Sequence, residues 1–414
     1  MLLPVCLYQD AFFPSIPMEP ITHLMTGACL ARAGFNRKAA YATLAMTLAA
    51  EAPDLDTLWS VDGPVAAFQH HRGITHTFIG LPFEGIAVVG AVWLLHRWRV
   101  RRAAARSVRG PAMSDPVATG PGPARRRLTA APVRWGLLYG FVLIALVSHI
   151  LLDWTNNYGV RPFFPFNPRW YAGSIVFIFE PVLFVVLLAA LVAPALFGLI
   201  GSEVGAPRAD FRGRGWAIFA LLAMVGLWGW RGVERDAAVQ LAMTADYGPA
   251  DSAAAGASPV SISPAPVAPA QILRVTASPY PGNPYRWHTV VETPGFYQLA
   301  TVDSLHATVA TNPEHDLYYK PPTTLATLAA KRSWLGEAYL DWSSWPLVTD
   351  IGPAVPVGAP PGATEMTAVK FLDLRFLYDT SLLNGRSNPP LSGMVYIDAD
   401  RRVAWMEFGG REQR

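Results

Sequence analysis

Residues 135–159 read WGLLYGFVLIALVSHILLDWTNNYG, and the part from 135 to 152 carries no full charge. A helix needs roughly 20 apolar residues to cross about 30 Å of hydrocarbon, so this stretch predicts a membrane span. His149 and Asp153 stand at its far end at i and i+4, which places both on one helix face. A charge near the bilayer centre costs about 2.5–3.5 kcal/mol on insertion scales, so such residues need a partner or a purpose.

Working outward, the composition agrees with that reading. The chain has 414 residues, 52% hydrophobic and 15% charged, against a usual charged share of about 25%. Mean hydropathy is +0.25. An ordinary soluble enzyme and a disordered tail protein are both argued against. A formal charge of +3 is too balanced for a nucleic-acid binder, and none is expected as a partner. The two cysteines, Cys6 and Cys29, cannot build a disulfide framework or a cysteine zinc site.

Further spans are predicted over 78–95, 175–200 and 216–230, with tryptophans suited to the interface belts. Segments 22–34 and 38–50, split by Gly34-Phe35-Asn36-Arg37, are short for crossing and predict a tight helical hairpin packed among the longer helices, with an amphipathic pair lying on the membrane surface as the alternative. The stretch 97–134 holds ten arginines against Asp115, 201–215 adds Arg208, Arg212 and Arg214, and the hairpin tip adds Arg32, Arg37 and Lys38. The positive-inside rule puts all of these on the cytoplasmic side, leaving loops 51–77 and 153–174 and everything after 231 outside. The expected architecture is an α-helical multi-span membrane domain of about six helices over 21–231, preceded by an extension at 1–20. An Ala/Pro/Ser-rich linker follows over 232–270, then a mainly β soluble domain over 271–414. Met18 is a sensible alternative start. Strands are predicted at 287–291, 296–299 and 372–376, a hairpin from 395–397 and 403–406, and one helix near 323–340. The aromatic group of Trp287, His288 and Trp342–Trp345 reads as core, with a binding surface as the alternative.

Polar groups gather on the predicted outer face. His23 opens the first helix behind Thr22, Asp54 and Asp56 share a turn in Pro53-Asp54-Leu55-Asp56, and His71 and His76 lie in HRGITH. His149 and Asp153 complete the set. His70 lies beside it, whereas His96, next to Arg97, reads as a flanking residue. Mixed imidazole and carboxylate ligands suit zinc first, with manganese or iron as alternatives, and several carboxylates allow one or two divalent ions.

The order THLMTG, PDLD, HRGITH and HILLDWTNNYGVRPFFPF resembles the YdjM-type family of membrane-bound, metal-dependent hydrolases, over roughly residues 21–200. The resemblance implies His23, Asp54, Asp56, His71, His76, His149 and Asp153 as ligands. A fainter likeness, to zinc-dependent phospholipase C and P1 nuclease, rests on the HxxxD pair. The expected activity is hydrolysis of a phosphoester or lipid-like substrate at the outer face of the cytoplasmic membrane. Asp54 or Asp56 would serve as bridging ligand or general base. Arg72 would hold a phosphate oxygen or form a salt bridge to Asp54 or Asp56, with Arg161 a second phosphate candidate. Glu180 would orient a ligand histidine or pair with an arginine. The rival readings are a non-catalytic membrane scaffold whose β domain binds a protein partner, and a metal transporter. A transporter should carry ligands at several depths, which ranks it last.

Overall fold

The computed structural model describes residues 20–108, 129–203, 211–247, 271–312, 315–356, 358–359, 364–380 and 389–413. The N-terminal extension, the Arg125-Arg126-Arg127 run and most of the linker lie outside them.

The first half is helical: α1 Pro20–Ala33, α2 Ala42–Ala49, α3 Pro64–His70, α4 Leu81–Val108, α5 Trp135–Thr155, α6 Pro181–Glu203 and α7 Arg214–Thr244. Three of these are long and apolar enough to cross a membrane: α5, α6 through Leu199, and α7. The segment over 78–95 belongs to α4, apolar in its first half and arginine-rich in its second. It meets the same requirement only together with Pro64–His76, from which it bends by 86°.

The α1–α2 hairpin forms as its small residues dictate. A Cβ on Gly27 would fall 2.4 Å from the Met46 carbonyl oxygen and 2.7 Å from the Ala50 Cβ, so the two helices touch backbone to backbone there. Ala45, Met46 and Ala49 of α2 pack on Val142, Ala145 and Leu146 of α5. Met25 and Cys29 of α1 meet Leu187 of α6 and Ala217 and Ala220 of α7. Basic residues converge at the hairpin-tip end of this bundle. Arg214 Nε donates to the Ala33 carbonyl (3.0 Å), and the Arg99 guanidinium lies 5.6 Å from the Tyr41 ring. His96 meets the Tyr41 hydroxyl at 3.1 Å in the same place, a flanking role as its sequence position suggests.

Helix α7 runs on to Thr244, into the stretch expected to be linker, because 233–244 is rich in Ala, Gln, Leu and Met with no Gly or Pro to stop it. The second half holds two five-stranded antiparallel sheets. One is ordered β1-β2-β3-β4 with β5 also on β3, built from Arg274–Pro279, Arg286–Glu292, Phe296–Asp303, Thr308–Ala310 and Leu317–Tyr319. The other is ordered β10-β9-β8-β7-β6, built from Pro346–Ala354 (β6), Met366–Asp373 (β7), Gly393–Ile397 (β8), Val403–Phe408 (β9) and Arg411–Glu412 (β10). The strand expected over 372–376 ends at Asp373, whose carboxylate accepts from the Arg375 backbone N–H (3.0 Å) and turns 374–376 into a 3-10 turn. The helix near 323–340 is two, α8 Leu325–Lys331 and α9 Trp334–Trp342, because Ser333 caps the second. Trp287, His288, Trp342 and Trp345 are all buried, as core aromatics should be.

The β half packs against the helical half. Val65 and Phe68 of α3 and Tyr158 share one apolar core with Leu335, Tyr339 and Trp342 of α9 and with Phe371 of β7. Polar ties frame that contact. Trp342 Nε1 donates to the Tyr158 carbonyl (3.2 Å) and Arg375 Nη1 to the Asn157 carbonyl (2.8 Å).

Candidate metal centre

Four elements deliver the site. Helix α5 supplies His149 and Asp153 from its last two turns. After α2, Pro53 sits in the first turn of a 3-10 segment, Ala52–Asp62, that buries Asp54 and Asp56 on one side. The turn between α3 and α4 brings His71, Arg72 and His76, and α1 brings His23.

One ligand atom from each of Asp54, His76, His149 and Asp153 lies within 4.8 Å of the others, and all four residues are buried. His76 Nε2 is 3.3 Å from Asp54 Oδ1 and 3.2 Å from Asp153 Oδ2. His149 Nε2 is 3.6 Å from Asp54 Oδ1 and 3.4 Å from Asp153 Oδ2. The two Nε2 atoms face one another at 3.0 Å. His149 Nδ1 lies 2.7 Å from the Ala50 carbonyl, which can only accept; donation there leaves the Nε2 lone pair pointing into the cluster. His76 Nδ1 sits 3.3 Å from Asp56 Oδ2, and donation to it likewise turns the His76 Nε2 lone pair inward. Two imidazole lone pairs and two carboxylates converging in a buried space repel unless a proton or a metal cation lies among them. The donor set therefore fits a divalent ion.

The other predicted residues surround that quartet. His23 Nε2 is 3.4 Å from Asp153 Oδ1, and its ring stacks on His149 at 4.0 Å between centroids. Asp56 sits one layer out: it meets His71 Nδ1 at 3.2 Å and accepts from the Arg72 backbone N–H at 2.7 Å. Presenting that N–H puts Arg72 at φ 54, a left-handed conformation costing an L residue roughly 1–2 kcal/mol.

Arg72 is fully buried and its guanidinium is spent on structure. It binds Asp153 Oδ1 (2.6 Å), the carbonyls of Asp153 and Gly159, and Asn156 Oδ1. Of its two expected roles it takes the salt bridge, to Asp153 in place of Asp54 or Asp56, because the turn at 156–159 folds back over it. Arg161 pairs with Asp341 (2.8 Å) and the Gln69 carbonyl. Glu180 pairs with Arg231 (2.6 Å) and accepts from the Gly282 N–H. It therefore takes the arginine-pairing role, although it also lines a cavity of about 30 Å³ that opens onto His23 and Asp153. A space of that size holds a water or two. His70 stacks on Trp59 outside the cluster. A larger cleft, about 810 Å³, is lined by β-domain residues alone, among them Arg286, Thr301 and Asp379.

Two contributors escaped the sequence reading. Asn156 Oδ1 accepts from the backbone N–H groups of Tyr158 and Gly159, closing the turn after α5, and the Asn-Asn-x-Gly run was the available signal. Glu51 keeps a buried Oε2 with no hydrogen-bond partner among the described residues.

The fold and site thus define a membrane-embedded helical protein with a buried His/Asp centre able to hold a metal ion, joined to a β domain. The chain belongs to the family described as YdjM inner membrane protein, whose model matches residues 18–238. It is also similar to the uncharacterized protein YfhP of Bacillus subtilis (strain 168), at 24% identity over 189 residues, 42% of this chain. The match spans 45% of that relative's length. No solved structure matches the chain. The fainter likeness to phospholipase C and P1 nuclease finds no support in these comparisons.

Proposed function

We propose that this protein is an integral membrane metal-dependent hydrolase acting on a phosphoester or lipid-like substrate at the outer face of the cytoplasmic membrane. The β domain then lies outside the cytoplasm, as the positive-inside reading of the arginine-rich end requires. The observation that carries the proposal is the 3.0 Å approach of two inward-facing imidazole nitrogens between two buried carboxylates. Asp54, His76, His149 and Asp153 would hold the ion, zinc first and manganese or iron as alternatives, with His23 beside Asp153. A bound divalent ion supplies Lewis acidity and brings the pKa of water to about 7.

The chain's own groups do the rest. Asp54 Oδ2 is buried and has no hydrogen-bond partner among the described residues, and it would accept a proton from a water at the centre. Arg72 holds Asp153 in place through its 2.6 Å ion pair. Asp56 holds the His76 ring and the Arg72 backbone.

Elemental analysis of detergent-purified protein, followed by turnover on a panel of lipid and soluble phosphoesters, tests this reading. Stoichiometric metal with phosphoester turnover lost in His76→Ala and Asp153→Asn supports it. A metal-free preparation that takes up no added zinc, manganese or iron would sink it.

A further inference from the structure

The 3-10 segment Ala52–Asp62 has two faces. Asp54 and Asp56 are buried toward the centre, while Leu55, Leu58, Trp59 and Val61 are 61%, 67%, 46% and 87% exposed, with Thr57, Ser60 and Asp62 exposed among them. An apolar face of that kind on a polar-cored segment needs a covering. The packing fixes where it lies. Asp54 meets His149, and His149 lies six residues before the end of α5 at Thr155, about 9 Å inside that end at 1.5 Å per residue. Helix α5 is 21 residues long, or about 31 Å, just enough to cross the hydrocarbon. The segment therefore starts below the end of a helix that ends at the membrane boundary. It then climbs to the β domain, where Gln413 Nε2 donates to the Asp62 carbonyl. Phe83 and Ile86, on the first turns of α4, are likewise 70% and 61% exposed.

We infer that the segment 52–62 lies in the leaflet nearer the metal centre, with Leu55, Leu58, Trp59 and Val61 set among lipid chains and headgroups. The centre is then roofed on one side by a protein segment only one layer thick, beyond which is lipid. The inference rests on the membrane reading of the helices and stands independently of any catalytic turnover.

Site-directed spin labelling tests it without an activity readout. In full-length protein carrying Cys6→Ser and Cys29→Ala, nitroxides are placed singly at Leu58→Cys and Val61→Cys, with Asp400→Cys on the β8–β9 turn as the aqueous control. Each is reconstituted into phosphatidylcholine/phosphatidylglycerol vesicles. Power saturation with oxygen and with a water-soluble nickel chelate should show labels at 58 and 61 colliding preferentially with oxygen, and the label at 400 with nickel. Nickel-dominated relaxation at 58 and 61 would place them in open water and overturn the inference. Shielding from both reagents would mean that a second copy or a protein partner covers the face, and would overturn it equally. Retained metal content in the labelled proteins confirms that the label reports on the folded chain.

Discussion

His76 faces two carboxylates and a second imidazole at once, while Asp56 touches only its far nitrogen. The two positions should therefore separate by degree. His76→Ala is expected to leave less than a tenth of the wild-type metal. Asp56→Asn should keep the ion but weaken its affinity roughly 10–100-fold, as the loss of a ligand's supporting partner typically does. Titration with a competing chelator distinguishes the two, and equal losses would return Asp56 to the ligand set. That the seven predicted side chains would gather around one centre was legible, because polar groups at the outer ends of apolar segments and in the turns between them need a partner. Their division into an inner quartet and outer supports was not, because His76 and Asp56 differ in depth through a backbone turn. The partner of Arg72 was hidden for a related reason. Asp153 is 81 residues away, and only the folding of the turn after α5 brings it within reach.

The α1–α2 hairpin, read as two short segments, works as a shim between the spanning helices. Its closeness is set at Gly27, where even a methyl group would meet the Met46 carbonyl and Ala50. Ala50 is also the residue whose carbonyl lies 2.7 Å from His149 Nδ1. Gly27→Ala should therefore push α2 outward, disturb the tautomer-fixing contact of a ligand more than one helix away, and weaken metal binding severalfold without changing any ligand. Ala50→Gly removes the 2.7 Å Cβ contact but leaves the 2.4 Å approach to the Met46 carbonyl, so in combination with Gly27→Ala it should recover only a small part of the loss. Isothermal titration with zinc on the single and double variants reads this directly. The hairpin was legible as two short helices with a basic tip, since apolar length and the Gly-Phe-Asn-Arg break are local features. The extension of α7 through Thr244 was underestimated for the opposite reason: charged Glu234, Arg235 and Asp236 end the apolar run without ending the helix.

At the scale of the whole molecule, one route from the β domain to the metal centre runs through Trp342. Trp342 of α9 packs on Tyr158 at 4.7 Å between ring centroids and donates to its carbonyl. The Tyr158 ring lies 5.0 Å from the Arg72 guanidinium, and Arg72 holds Asp153. Truncating a buried tryptophan typically costs about 3–5 kcal/mol. Trp342→Ala should thus loosen the seam between the two halves, seen as faster tryptic cleavage on either side of α9. It should also lower the metal affinity of a site to which Trp342 contributes no ligand. Trp345→Ala supplies the contrast. Trp345 is buried too, but packs in a separate β-domain core with Val290, Leu299 and Leu374, away from Tyr158. A comparable loss of stability with metal affinity intact at Trp345, against loss of both at Trp342, would establish the β domain as a brace for the centre. Equal effects on metal from the two substitutions would instead reduce the coupling to general destabilisation.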